Sequence, residues 1–171
     1  LIKLVKDATS RGLIYFERDI LAPQLERLNV QAFRYDGYVA RISSMKSYFN
    51  ENMKMLDDVN VDALFSAGNP IYTKIRDDNP ARYINGSKVS NIMAADGCII
   101  EGEVENSILF RGVRVGKGAG VKNCVLMQDT VIEADAGVEY VVTDKNATIT
   151  RGKIIKGTVT FPVYVAKYQI V

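Results

Sequence analysis

Two arginines three residues apart, Arg111 and Arg114 in the run Phe110-Arg-Gly-Val-Arg-Val115, are the side chains best suited to chemistry with a ligand. Guanidinium forks bind phosphoryl groups in a planar, bidentate fashion. Lys117, Lys122, Arg151, Lys153 and Lys156 follow and could extend a basic patch. They are interspersed with Glu101, Glu103, Glu105 and Asp129, so the lysines are better explained as solvated corner residues. The chain contains no histidine, which removes both an imidazole general base and a three-histidine zinc site. No serine-lysine or cysteine-base pair stands out to replace them. Cys98 and Cys124 lack metal-ligand spacing and sit among aliphatic residues, as expected of buried, reduced thiols.

The arginines lie within a repeat. From Val89 to Ile155 an aliphatic residue returns about every six positions: Cys98, Val104, Leu109, Val115, Val121, Met127, Ile132, Val138. The spacing slips to five at 104 to 109 and at 127 to 132. A second row trails the first by four: Ile108, Val113, Ala119, Val125, Val131, Ala136, Val142. Two inward positions per six residues, with Gly and Asn between them, predict a left-handed parallel β-helix, a hexapeptide-repeat solenoid of four or five coils. The acyltransferases and carbonic anhydrases built on such coils need histidine, so neither chemistry is expected.

A different periodicity governs the first 58 residues. Leu21, Leu25 and Leu28 predict one amphipathic helix, and Met45, Tyr48, Phe49, Met53 and Leu56 after Ser44 predict another. Between them Val30–Tyr35 and Tyr38–Ile42 read as strands joined by the Asp36-Gly37 turn. This helix, strand pair, helix unit is a small α/β remnant, too small for a core of its own. Residues 59–88 carry the punctuation of a linker yet are apolar at Ile71, Tyr72, Ile75, Tyr83 and Ile84, predicting a packed one. Residues 89–171 form the solenoid domain, and the alternating Phe161–Val171 segment should cap it or pair with another subunit.

The balance of 22 basic and 20 acidic residues gives a net charge of +2 and no bulk attraction to nucleic acid or anionic membrane. No apolar run approaches the roughly 20 residues a membrane helix needs, and no signal-peptide pattern opens the chain, so the expected location is cytoplasmic. A start at Leu1 rather than Met suggests a fragment.

The stretch from Phe33 to Leu56, together with Arg18-Asp19-Ile20-Leu21-Ala22-Pro23, Asn69-Pro70-Ile71-Tyr72-Thr73-Lys74 and Asp96-Gly97-Cys98-Ile99-Ile100-Glu101-Gly102-Glu103-Val104-Glu105-Asn106-Ser107, resembles the sugar-phosphate nucleotidyltransferases. Within them it is most similar to ADP-glucose pyrophosphorylase, that is, glucose-1-phosphate adenylyltransferase. In that family Gly-Tyr-Trp-x-Asp-Val-Gly-Thr ends the catalytic domain and a β-helix follows. The resemblance implies that the family's Mg²⁺-binding Asp is replaced here by Arg41, its Gly and Thr by Ser43 and Ser44, and its Asp-Phe-Gly by Tyr15-Phe16-Glu17. A guanidinium cannot ligate a cation, so no catalytic residue is expected unless the register shifts and Asp36 serves.

These losses resemble the second, non-catalytic GlgD type of subunit in glycogen biosynthesis. By that resemblance the chain acts in oligomer assembly and allosteric control, and its partner is a catalytic ADP-glucose pyrophosphorylase subunit in a heterotetramer. A homo-oligomer of the fragment is a further possibility. The fragment itself needs no cofactor, and Mg²⁺ belongs to the catalytic partner. The resemblance also implies an anionic sugar-phosphate effector at Arg111 and Arg114. Two alternatives stay open: the tail of an active nucleotidyltransferase, or a scaffold that binds only protein.

Overall fold

The computed structural model describes residues 1–65, 68, 70–73 and 75–171, so Asn69 and Lys74 of the Asn69–Lys74 motif lie outside the described residues. The chain divides into two compact units, 1–36 and 37–171. The second holds the solenoid. Parallel strands stack on three faces, because each strand of two or three residues must turn a corner before it can pair with its successor one coil later.

Face one carries Arg82–Tyr83, Ile99–Ile100, Arg114–Val115, Val131–Ile132 and Thr148–Ile149. Face two aligns Lys88, Glu103, Gly120, Gly137 and Ile154, and beside them Ser90, Glu105, Lys122, Glu139 and Lys156. Face three aligns Ile92–Ala94, Ser107–Leu109, Val125–Leu126, Val141–Thr143 and Val163–Val165. Arg114 pairs with Val131 and Val131 with Thr148, a coil of 17 residues, or two sixes and a five. The step from Ile99 to Arg114 is shorter at 15. Parallel pairing already begins at Arg82, inside the stretch read as linker.

The interior is a column of Ile100, Val115, Ile132 and Ile149 from face one, Val104, Val121 and Val138 from face two, and Leu109, Leu126 and Val165 from face three. Of the second aliphatic row, Val113, Ala119 and Ala136 fill the inner corners as expected. Ile108, Val125 and Val142 do not. They point outward on face three, since strand neighbours alternate and Leu109, Leu126 and Val141 take the inside. Val125 and Val142 are buried all the same, beneath Phe49. Val131 likewise points outward on face one and is half-buried. The five-residue slip falls at Leu126, which is fully buried, rather than at half-buried Met127. The interior also takes polar side chains: Ser107 is fully buried, and Thr130 and Thr143, also fully buried, share a hydroxyl hydrogen bond of 2.9 Å.

One corner is turned by Asn91, Asn106, Asn123 and Tyr140, all with left-handed backbone. Asn tolerates that conformation at low cost. Its amide then serves twice, because Asn91 Nδ2 donates to Asn106 Oδ1 at 2.8 Å and Asn106 donates onward to Asn123. The Phe161–Val171 segment completes the last coil instead of leaving it: Val163–Val165 pair with Val141–Thr143, and Ile170 bridges to Thr148.

Ahead of the solenoid, helix α2 (Met45–Met53; α1 is Ile2–Ser10) starts where the sequence predicts, at a Ser44–Ser47 capping box. It lays Phe49 on face three with its ring 6.2 Å from that of Tyr140. A 3₁₀ turn and helix α3 (Asp58–Leu64), capped by Asp57, continue it. The strand pair expected at 30–35 and 38–42 is absent. Phe33, Tyr35, Val39 and Ile42 are exposed, and a two-stranded ribbon without a third strand or a covering helix is marginal in water. The first expected helix is reduced to a π turn, Phe16–Leu21, and a 3₁₀ turn at Ala22–Gln24, where Pro23 withholds a backbone donor. In the unit 1–36 only Ala8 and Ile20 are buried hydrophobics.

Candidate functional site

Arg114 stands on face one and points out, next to Arg82 and Val131 along the same outward row, with Ile99 between the two arginines. A cavity of about 300 Å³ opens there, lined among others by Arg76, Asp78, Arg82, Gly112, Arg114 and Asp129. Three guanidinium groups and two carboxylates share it.

The carboxylates are already engaged. Arg76 donates from both terminal nitrogens to Asp129 at 3.0 Å each, a fork-to-fork pair, and its Nε lies 2.8 Å from Asp78 Oδ2. The Asp129 carboxylate pushes the Arg76 pKa up further. Asp78 Oδ2 sits off the N–H direction and is a buried oxygen without a well-formed hydrogen bond. Space for this pair comes from Gly112, whose backbone is left-handed at φ 72 and where a Cβ would collide with Asp129 Oδ1. The third-coil corner is thereby tied to the segment that leads into the solenoid.

Of the two arginines singled out by sequence, the structure brings Arg114 into this cavity. Arg111 is half-buried at the corner before Gly112, gives its carbonyl to the Asp129 N–H, and is not among the lining residues. Arg82 and Arg76, which sequence reading passed over, line it instead. Pairing one coil apart could have revealed Arg82, had the solenoid been started at residue 82. Of the remaining basic residues, Lys122 pairs with Glu105 at 3.0 Å, Arg151 with Asp135 at 3.4 Å and Lys156 with Glu139 at 3.5 Å, each along the coil stack. These exposed pairs spread charge rather than concentrate it. Arg41 lies in the irregular segment before α2 and is exposed.

The cysteines are placed for packing. Both are fully buried, and burial pushes the Cys124 thiol from its ordinary value near 9 up to about 12, with Cys98 shifted the same way. Because the thiolate is the nucleophile, neither thiol should react with iodoacetamide in the folded chain at pH 8, and both should react once it unfolds. The same shift makes the unfolded chain lose its thiol protons first, so stability should fall as pH rises above about 9. Mass spectrometry of native and denatured samples checks the first expectation.

Residues 75–158 match the hexapeptide family described as GlmU-like, C-terminal hexapeptide. Over 140 residues, 82% of the chain, it is 40% identical to the glycogen biosynthesis protein GlgD of Bacillus subtilis. The chain belongs to the glucose-1-phosphate adenylyltransferase and GlgD family. Other family members include the glucose-1-phosphate adenylyltransferase of Geobacillus stearothermophilus, 39% identical over 63% of the chain, and that organism's GlgD, 49% identical over 41% of it. The chain spans less than half the length of these relatives: 41%, 28% and 20% respectively. The fit to GlgD extends beyond residues 75–158, since 82% of the chain exceeds that segment.

Proposed function

We propose that this chain is the C-terminal part of a non-catalytic, GlgD-type subunit of ADP-glucose pyrophosphorylase, acting in glycogen biosynthesis through oligomer assembly and allosteric control. The observation that carries the reading is the 40% identity to a GlgD protein, and the resemblance that sets Arg41 at the place of a metal-binding carboxylate agrees with it. The Mg²⁺ of the family's chemistry does not fit the residues present. Arg41 would bring a positive charge to the cation. On this reading Mg²⁺ belongs to a catalytic partner.

What the solenoid supplies is a stiff surface. Its core is continuous through the stack, so a contact made on one face is held in fixed geometry relative to the next coil. Tyr164, Tyr168, Ile170 and Phe161 are exposed on the last coil and offer an apolar contact surface to a catalytic subunit in a heterotetramer, or to a second copy. An anionic sugar phosphate is the proposed effector, with Arg111 and Arg114 as its site. Among the described residues no helix is long and apolar enough to cross a membrane, and the proposed location is the cytoplasm.

The test is assembly. The full-length protein carrying this sequence is mixed with a cognate catalytic subunit, and the mass of the complex is followed by light scattering alongside the effector response of the mixture. A mixed complex with an altered response supports the proposal. Two separate species and an unchanged catalytic subunit would remove it.

A further inference from the structure

The corner turned by Asn91, Asn106 and Asn123 is also a chain of amides, in which each Nδ2 donates to the Oδ1 of the next coil. The chain stops at the fourth rung. Tyr140 stands there and offers Asn123 no amide oxygen. Asn123 is only 9% exposed, and among the described residues no hydrogen bond leaves its Nδ2. Tyr140 carries a cost of its own, since a bulky residue at φ 51 is strained where asparagine is not. Its contact with Phe49 offsets part of that strain. An asparagine at this rung would remove both costs, so the tyrosine and the idle amide call for a further partner.

A cavity of about 490 Å³ lies at this spot, between α2 and the corner. Its lining is mixed. Tyr140, Met53 and Val159 supply apolar surface, and Asn50 and Asn123 supply amides. Asn50 is half-buried, and among the described residues no hydrogen bond engages its side chain. The charged residue of the lining is Lys54, which is paired with Glu51 at 2.7 Å. One coil beyond Tyr140 stands Gly157, with no side chain to lay over its ring.

We infer that this cavity binds a neutral saccharide, with one pyranose ring against Tyr140 and its hydroxyls on Asn50 and Asn123. The donor left on Asn123 needs an acceptor, and the amide of Asn50 needs both kinds of partner. A hydroxyl meets either demand, whereas an ionised phosphate or carboxylate only accepts. No ligand charge is called for, because Lys54 is already neutralised. The 58° tilt between Phe49 and Tyr140 leaves no slot for a flat base between two rings, while a pyranose lays its C–H face on a single ring. The volume falls in the range of small-molecule sites, roughly 300–1,000 Å³. This site is separate from Arg111 and Arg114, and it does not depend on the regulatory reading.

The full-length protein carrying this sequence is titrated with maltotriose and, separately, with cellotriose, and binding is followed by calorimetry and saturation-transfer NMR at low and at high salt. At least one of the two glucans should bind, with the same affinity at both salt concentrations. Asn123→Asp keeps the oxygen that accepts from Asn106 and tolerates the left-handed backbone, but it removes the donor. Binding should weaken at least fivefold, the loss of one hydrogen bond to the sugar. Tyr140→Asn completes the amide chain and removes the ring, and it should abolish detectable binding in a chain that thermal denaturation shows to be folded. Binding of both glucans places recognition in the pyranose ring itself, and binding of one adds the linkage. No binding of either glucan, native-like affinity in either variant, or an affinity that falls with salt overturns the inference.

Discussion

Replacing Gly102 with alanine should cost about 3 kcal/mol and lower the thermal midpoint sharply, while Gly120→Ala should change stability by less than about 0.5 kcal/mol. The contrast is set by what a methyl group meets. At Gly102 an added Cβ would press into Ala119 O and lie 2.7 Å from Gly116 O, both backbone atoms of the next coil. Backbone cannot rotate aside as a side chain can, so the coils themselves must part. At Gly120, which pairs with Glu103 on face two, nothing lies within 4 Å. Thermal denaturation followed by circular dichroism checks both. Equal effects in the two variants would mean that the coils are not spaced as described.

A second large effect is expected at Phe49. Its side chain is 2% exposed and closes over Val125 and Val142, the two outward aliphatics that face three would otherwise show to water. Phe49→Ala removes that cover and leaves a cavity beside Tyr140, at a cost of about 3–4 kcal/mol. The loss should be local. Helix α2 holds on to the solenoid mainly through this ring, whereas the coils have their own continuous core. Hydrogen exchange should therefore accelerate over Met45–Met53 while the face-one strands stay protected. Uniform acceleration through all faces would show that helix and solenoid unfold as one.

The solenoid was legible because its signal is repetitive: each inward position recurs on the next coil, and Val115, Val121, Ile132 and Val138 stand where the six-residue spacing puts them. The same spacing misplaced Ile108, Val125 and Val142, since a covered outward face selects aliphatics as strongly as an interior does. Only knowledge that α2 lies on face three separates the two. The helix at Ser44 was readable from its cap and stripe, both of which are local. The strand pair before it was not, because alternation shows what a segment would do given a sheet to join, and none is formed there. At the candidate site the types of residue were visible but their company was not. Arg114 and Arg82 are 32 positions apart in sequence and meet only through the register of two coils. The Arg76–Asp129 pair bridges a still longer separation, between a segment with no repeat and a corner of the third coil. Sequence spacing alone carries no trace of it.

The most direct measurement of the proposed function is adenylyl transfer by the full-length protein on its own, with glucose 1-phosphate, ATP and Mg²⁺, and an Arg41→Asp variant alongside. A subunit that serves only assembly and control, with Arg41 at the metal-ligand position as proposed, turns over nothing above background, because a guanidinium cannot ligate the cation. Turnover by the unaltered protein, at a rate typical of its enzyme relatives, would contradict the account and make this chain the tail of a working nucleotidyltransferase.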